Sequence, residues 1–259
     1  MTDHPDYFVK SVEKAFAVLL AFSTEQPRLT MTQVASKVDL SRASARRFLL
    51  TLTDLGYLRA DGGQFELTPR CLDLGASFLS ALSLPQIAEP HLKSLSTQLS
   101  ETTSLCILDG SDIVYVARVS SPRLLAVSIN VGTRFPAWIT SMGRVLIAGL
   151  APMEREAYFD SITLQHFTER SIATMDELRA EIDRVAQNGW SIVSEELEDG
   201  LRGVAVPVWR SGRVVAAVNV SLQAYRASPD MVVATVVPLL QQAARLIGDD
   251  FGGTVPGRG

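Results

Sequence analysis

The 259-residue chain has little of what most catalysis and most anchoring require. It holds two cysteines, Cys71 and Cys106, and three histidines, His4, His91 and His166. Two cysteines build no disulfide framework, and the expected compartment is a reducing cytoplasm. No histidine stands at ligand spacing from another histidine or a cysteine, so no metal is expected. The G-x-S-x-G elbow, the phosphate-cradling P-loop and the G-x-G-x-x-G turn are all missing, which leaves no catalytic residue or cofactor to nominate. Long apolar runs are missing too. The longest candidate, residues 232–240, is broken by Thr235 and Pro238 and falls short of the roughly 20 residues of a membrane span. The first residues, MTDHPDYF, are acidic without an apolar stretch, so neither export nor a membrane is expected. Nor is there a large charge excess, the formal net charge being −4.

What is present is apolar material and an uneven charge. A hydrophobic fraction of 47% can fill real cores and argues against disorder. The length suggests two domains, at about 100–200 residues each. Residues 1–70 contain nine Lys/Arg against eight Asp/Glu; from totals of 24 and 28, fifteen against twenty remain. A near-neutral first part therefore precedes an acidic second one. Local clustering, not the total, decides whether phosphates bind.

The cluster sits in SRASARRFLLTLTDLGYL, residues 41–58. Ser41 caps a helix, Arg42, Arg46 and Arg47 fall on one side, and Ala45, Phe48, Leu49, Leu52 and Leu55 fall on the other. Gly56 ends it. Before it, residues 9–23 form an amphipathic helix with Val12, Phe16, Leu19 and Leu20 at helical spacing. Thr30 and Gln33 then form a capping box for a short helix through Val38. After it, residues 57–59 and 64–67 are strands about an Asp61-Gly62-Gly63 turn. Three helices and a hairpin make a winged helix-turn-helix. Each piece alone is ordinary, and exposed arginines are usually just solvated; the order of the pieces points to DNA.

Residues 70–84 read as a helix ended by Pro85, serving either as a linker with a dimer contact or as ordinary core. Beyond it the spacing predicts a helix to Leu99 carrying Leu92 and Leu95. Strands follow at 103–108, 113–119, 124–131, 190–194, 204–209 and 214–222. Helices are expected at 141–150, 153–159, 176–187 and 229–247. The whole is an α/β (α+β) chain: a winged helix-turn-helix over 7–69, a linker helix over 70–84, a mostly antiparallel mixed domain over 85–251 and a flexible tail over 252–259.

Two stretches of the second part bear on binding. Glu195, Glu196, Glu198 and Asp199 suggest a carboxylate pair or, more plainly, a solvated loop. Residues 132–144, GTRFPAWITSMGR, join a bent loop to a helix start with Phe135, Trp138, Thr140 and Ser141. A helix N-terminus binds carboxylates, and Trp138 would wall an aromatic or acyl body. Thr140 or Ser141 as a simple cap and Trp138 as core filler are the competing reading.

Long ordered runs then resemble one family. SVEKAFAVLLAF, SRASARRFLLTLTDLGYL, LTPRCLDLG, DIVYVAR, INVGTRFPAWITSMGRVLIA, NGWSIVSEELEDGLRGVAVPV and VVAAVNVS are similar to the IclR family of bacterial transcription regulators, from about Tyr7 to Phe251. RFPAWITSMGR and SEELEDGLRGVAVPV look most like the branch governing protocatechuate, 4-hydroxybenzoate and β-ketoadipate degradation. The resemblance implies a GAF-like effector domain and a homodimer, often a dimer of dimers, on a double-stranded DNA operator. It implies an effector pocket made by Ala137, Trp138, Thr140, Ser141, Met142, Glu196, Gly203, Asn219 and Ser221. Some relatives carry Cys or Ser where this chain has Gly203 and Asn219, which disfavours a glyoxylate-like effector and leaves room for a larger acid. The expected mechanism places the Ser41 helix in the major groove. Arg42, Arg46 and Arg47 meet bases or phosphates, with Ser44 adding a hydrogen bond. Thr30, Thr32 and Gln33 meet the backbone, and Arg59 on the hairpin reaches nearby phosphates. The effector, an aromatic or β-ketoadipate-like small organic acid, shifts the spacing of the reading heads. The alternatives are a regulator of another carboxylate pathway, with a glyoxylate-like, pyruvate-like or acyl effector, and a DNA-binding scaffold with no effector.

Overall fold

The computed structural model describes residues 5–75, 83–121 and 129–252. Contacts divide the chain into two compact units, residues 1–81 and 82–259.

The first unit contains α1 (Lys10–Leu20), β1 (Arg28–Thr30), α2 (Met31–Lys37), α3 (Arg42–Asp54), β2 (Leu58–Asp61) and β3 (Gln64–Leu67). The strands form an antiparallel sheet in the order β1-β3-β2. β1, three residues long, has no counterpart in the sequence reading; so short a strand leaves no periodic signal. Val18, Leu29, Val34, Leu49, Leu52 and Leu58 form its core. Two expected apolar faces are turned differently. Val12, Phe16 and Leu20 of α1 are 52%, 51% and 80% exposed, and Val18 carries the packing instead. Leu55, the C-cap of α3, is half exposed because the helix has already ended. Residues 71–75 are helical; 76–82, about half of the expected linker, lie outside the described residues.

The second unit is a six-stranded sheet with helices on both faces. Its elements are α4 (Ser83–Leu99), β4 (Thr102–Asp109), β5 (Asp112–Val119), β6 (Arg134–Pro136), a 3-10 turn (Ala137–Ile139), α5 (Ser141–Ala148), α6 (Pro152–Ser161), α7 (Met175–Asn188), β7 (Ser191–Ser194), β8 (Leu201–Arg210), β9 (Arg213–Gln223) and α8 (Pro229–Asp250). The order is β6-β5-β4-β9-β8-β7, every pair antiparallel. Strand alternation sorts the side chains. Val204, Val206, Val208, Val218, Val220 and Leu222 face α4 and α8, while Ala205, Ala217, Cys106 and Tyr115 face α5, α6 and α7. By length and composition α8 could cross a membrane, yet Val232, Val236, Val237, Leu240 and Ile247 pack into the sheet's core. Pro85, expected to follow a helix end, lies within the helical stretch described from Ser83 to Leu99. The expected 124–131 strand falls largely on residues 122–128, outside the described set, and 129–131 are not extended into a strand. Of the expected tail, 253–259 also lie outside it.

Gly143 explains the local build around α5. A Cβ there would sit 1.9 Å from the Ala137 carbonyl oxygen, so only glycine lets the 3-10 turn fold back against the helix start.

Candidate nucleic-acid interface and ligand pocket

The front of α3 is built from its cap. Ser41 Oγ accepts the Ser44 amide at 3.2 Å and donates to Ser44 Oγ at 3.0 Å. Ala45, Leu49 and Leu52 anchor the buried side, which leaves Arg42, Arg46 and Arg47 exposed. None of the three has an ion-pair, hydrogen-bond or ring partner among the described residues. Most other described arginines do: Arg134 with Asp109 and Asp112, Arg144 with Glu196, Arg155 with Asp183, Arg179 with Glu156, Arg226 with Glu101. Thr30 and Gln33 are engaged with each other: Thr30 N–H donates to Gln33 Oε1 at 2.8 Å, and Thr30 Oγ1 accepts the Gln33 amide at 3.4 Å. Thr32 is exposed beside them. Arg59, expected to reach phosphates, is held by the Glu66 carboxylate. That contact, with a second from Arg28, holds the Glu66 carboxyl below its ordinary pKa.

In the second unit a cleft opens between the sheet, the start of α5 and the 195–201 loop. It holds about 550 Å³ of space when the open solvent at its mouth is counted. Thr140, Ser141, Met142, Glu196, Gly203, Asn219 and Ser221 line it; Ala137 and Trp138 do not. Trp138 is buried in the core behind the cleft, its ring 6.2 Å from Phe167. The 3-10 turn points the indole inward, so its expected role as a pocket wall is corrected to core filler. Thr140 is the helix cap: its Oγ1 accepts the Gly143 amide at 3.0 Å. Glu196 is not free for a ligand either. Arg144, 1% exposed, donates Nη1 to Glu196 Oε1 at 2.9 Å, Nη2 to Oε2 at 2.5 Å and Nε to the Trp138 carbonyl at 2.9 Å. Thr168 and Ser171 hydroxyls bind the carbonyls of Glu195 and Glu196. The loop over the cleft is therefore pinned from below. At Gly203, a Cβ would come within 2.7 Å of Ser141 Oγ, so any side chain there would narrow the cleft.

The sequence reading missed Arg118, with Tyr115, Ile139, Val193, Leu197 and Leu201 among the remaining lining. A bulge brings Arg118 there. Leu105 pairs with Ala117 and Cys106 with Tyr115, leaving Val116 as an extra residue. Val116 and Ala117 both pack toward α4 and α8, and Arg118 emerges on the Tyr115 side. Strict alternation would have sent it to the opposite face. A lone charge in the apolar run DIVYVARV was the available signal. Its Nη1 donates to Ser104 Oγ at 3.3 Å, and its buried Nε has no partner. Burial lowers its pKa, though a guanidinium stays charged. Ser104 lies directly opposite Asn219. Asn219 Nδ2 donates to Ser221 Oγ at 3.1 Å while its buried Oδ1 has no partner. Burial raises the Tyr115 phenol and the Cys106 thiol, so both stay neutral. Two orphaned polar groups on one face of an apolar cleft suit a small molecule with an anionic oxygen and a hydrogen-bond donor.

Known proteins match along the chain. Residues 11–62 match the family described as IclR helix-turn-helix domain, and 76–249 the one described as Bacterial transcriptional regulator IclR C-terminal. The Pca regulon regulatory protein of Pseudomonas putida is 38% identical over 246 residues, 94% of this chain and 84% of that one. The p-hydroxybenzoate hydroxylase transcriptional activator of Acinetobacter baylyi is 35% identical over 243 residues, 92% and 90%. A crystal structure from Rhodococcus sp. RHA1, described as a transcriptional regulator, is 48% identical with a TM-score of 0.83, covering 94% of this chain and 98% of that one.

Proposed function

The chain belongs to the IclR family of bacterial transcriptional regulators, and on that premise we propose that it switches genes for aromatic-acid breakdown in response to a small aromatic acid. Membership brings DNA binding and effector binding in general terms. The pathway is our reading, supported by the Pca and p-hydroxybenzoate names of its relatives.

One observation carries the DNA side: three neighbouring guanidiniums on a capped helix have no partner among the described residues. In the proposed complex Arg42, Arg46 and Arg47 enter the major groove, with Thr30, Thr32, Gln33, Ser41 and Ser44 at the backbone. The protein acts in the cytoplasm as a homodimer, able to pair again into a dimer of dimers, on a symmetric operator. The uncovered Val12, Phe16 and Leu20 of α1 support a second copy as the covering surface.

On the effector side, Arg118 takes the carboxylate and Asn219 Oδ1 a ring hydroxyl, with Ser141, Met142, Gly203 and Ser221 shaping the space between. Arg118 is the only cation among the described lining residues, and Glu195 and Glu196 are claimed by Arg170 and Arg144. That inventory favours one carboxylate over two.

In an electrophoretic shift assay, Arg46→Ala with Arg47→Ala should weaken operator binding by about 1–3 kcal/mol per base-reading arginine at unchanged melting temperature. Unchanged affinity would refute the assignment. A thermal-shift screen against 4-hydroxybenzoate, protocatechuate, β-ketoadipate and pyruvate should pick out a hydroxybenzoate, since a native-state ligand raises stability by mass action. Stabilisation by none of them would leave the protein without its proposed effector class.

A further inference from the structure

The wing of the first unit contains a second basic face, and that face is cancelled. β3 lies between β1 and β2, and the register sets Arg28 opposite Glu66 on one side and Arg59 opposite it on the other. Glu66 Oε2 accepts Arg28 Nε at 2.7 Å; Oε1 accepts Arg59 Nε at 2.6 Å and a second bond from Arg59 Nη2. Asp61, at the hairpin's turn, stands 3.7 Å from Arg28 Nη1. The Arg28 and Arg59 side chains are 48% and 69% exposed and that of Glu66 is 16%. Two cations displayed to solvent thus meet two acids in place. In the same unit, the three arginines of α3 meet none among the described residues.

We propose that Glu66 is a specificity-determining residue of DNA recognition: it holds Arg28 and Arg59 away from the phosphate backbone, so affinity rests on the side chains of α3. Contacts to phosphate bind every sequence alike, and each one adds to salt dependence. A wing with two free guanidiniums would raise binding to all DNA and dilute the preference for an operator. Glu66 removes that contribution without removing the arginines, which together with it tie three short strands into one sheet. A purely structural cross-strand pair would affect stability alone; the proposed role affects the salt slope. The inference rests on the DNA-binding reading above and is separable from it.

The test uses the full chain on a random-sequence duplex and on an operator selected by the wild type. With Glu66→Gln, the plot of log affinity against log salt on the random duplex should steepen by about 1–2, since each added phosphate contact contributes about 0.9. The ratio of operator to random affinity should fall. Adding Arg28→Ala and Arg59→Ala to Glu66→Gln should return the slope to the wild-type value. Asp61→Asn, at an exposed position, should steepen it by less than about 0.9, and it decides alone if Glu66→Gln does not fold. An unchanged slope in the folded Glu66→Gln protein, or a steep slope persisting in the triple variant, would overturn the proposal. Failure of the wild type to bind DNA, or indifference to Arg46→Ala with Arg47→Ala, would instead sink the DNA-binding reading.

Discussion

Arg46 on α3 and Arg144 on α5 are the same chemical group under opposite conditions. Arg46 is exposed and has no partner among the described residues. Arg144 is 1% exposed, and all three kinds of its nitrogen are spent, on Glu196 and on the Trp138 carbonyl. A buried cation is tolerated only when its donors are matched, because its desolvation costs several kcal/mol. An exposed one costs nothing to keep and is available to whatever arrives. Arg144 thus serves shape: it joins the helix start at the cleft to the loop above it. Arg118 falls between the two, half-buried with one donor used and Nε unmatched. The contrast separates arginines that hold the protein together from those that meet something else.

Arg144→Met should break the comparison hardest. Removing one partner of a buried pair leaves the Glu196 charge uncompensated, with an expected loss of about 3–5 kcal/mol in urea unfolding. Below its melting temperature the variant should keep wild-type DNA affinity. The α3 double variant should do the reverse, keeping its melting temperature and losing DNA.

Arg118→Leu should come next. The loss of a charge-assisted hydrogen bond is worth about 1.5–3 kcal/mol. Calorimetry with whichever hydroxybenzoate stabilises the wild type should show affinity lower by about one to two orders of magnitude. DNA affinity without effector should stay put. Equal acid affinity in the two proteins would remove Arg118 from the pocket's chemistry.

Arg134→Ala should do least. Its partners Asp109 and Asp112 lie across an exposed hairpin, with side chains 65% and 31% accessible, and such pairs contribute about 0–1 kcal/mol. A larger loss in thermal unfolding would show that surface pairing here does more than the contrast allows.

Local chemistry made much of the fold readable in the sequence. The Thr30–Gln33 box, the Ser41 cap and the turn at Gly62-Gly63 are set by neighbouring residues, and the structure has each in place. The cleft was legible only in part. Asn219 and Ser221 follow from alternation along one strand. Arg144 and Glu196 meet across 52 positions, and no spacing rule announces a pair so distant. Trp138 looked like a wall because an aromatic beside a helix start can face either way, and only the 3-10 turn decides. Arg59 looked free because the register opposite Glu66 is a property of three strands together.

The bulge in β5 decides which layer of the second unit receives a charge. Val116 is the surplus residue that turns Arg118 toward Ser104 and Asn219. Loss of its codon would leave Tyr115, Ala117 and Arg118 in plain alternation with the guanidinium still in the cleft; keeping the residue but flattening the bulge would instead roll Arg118 into the greasy layer beneath α8.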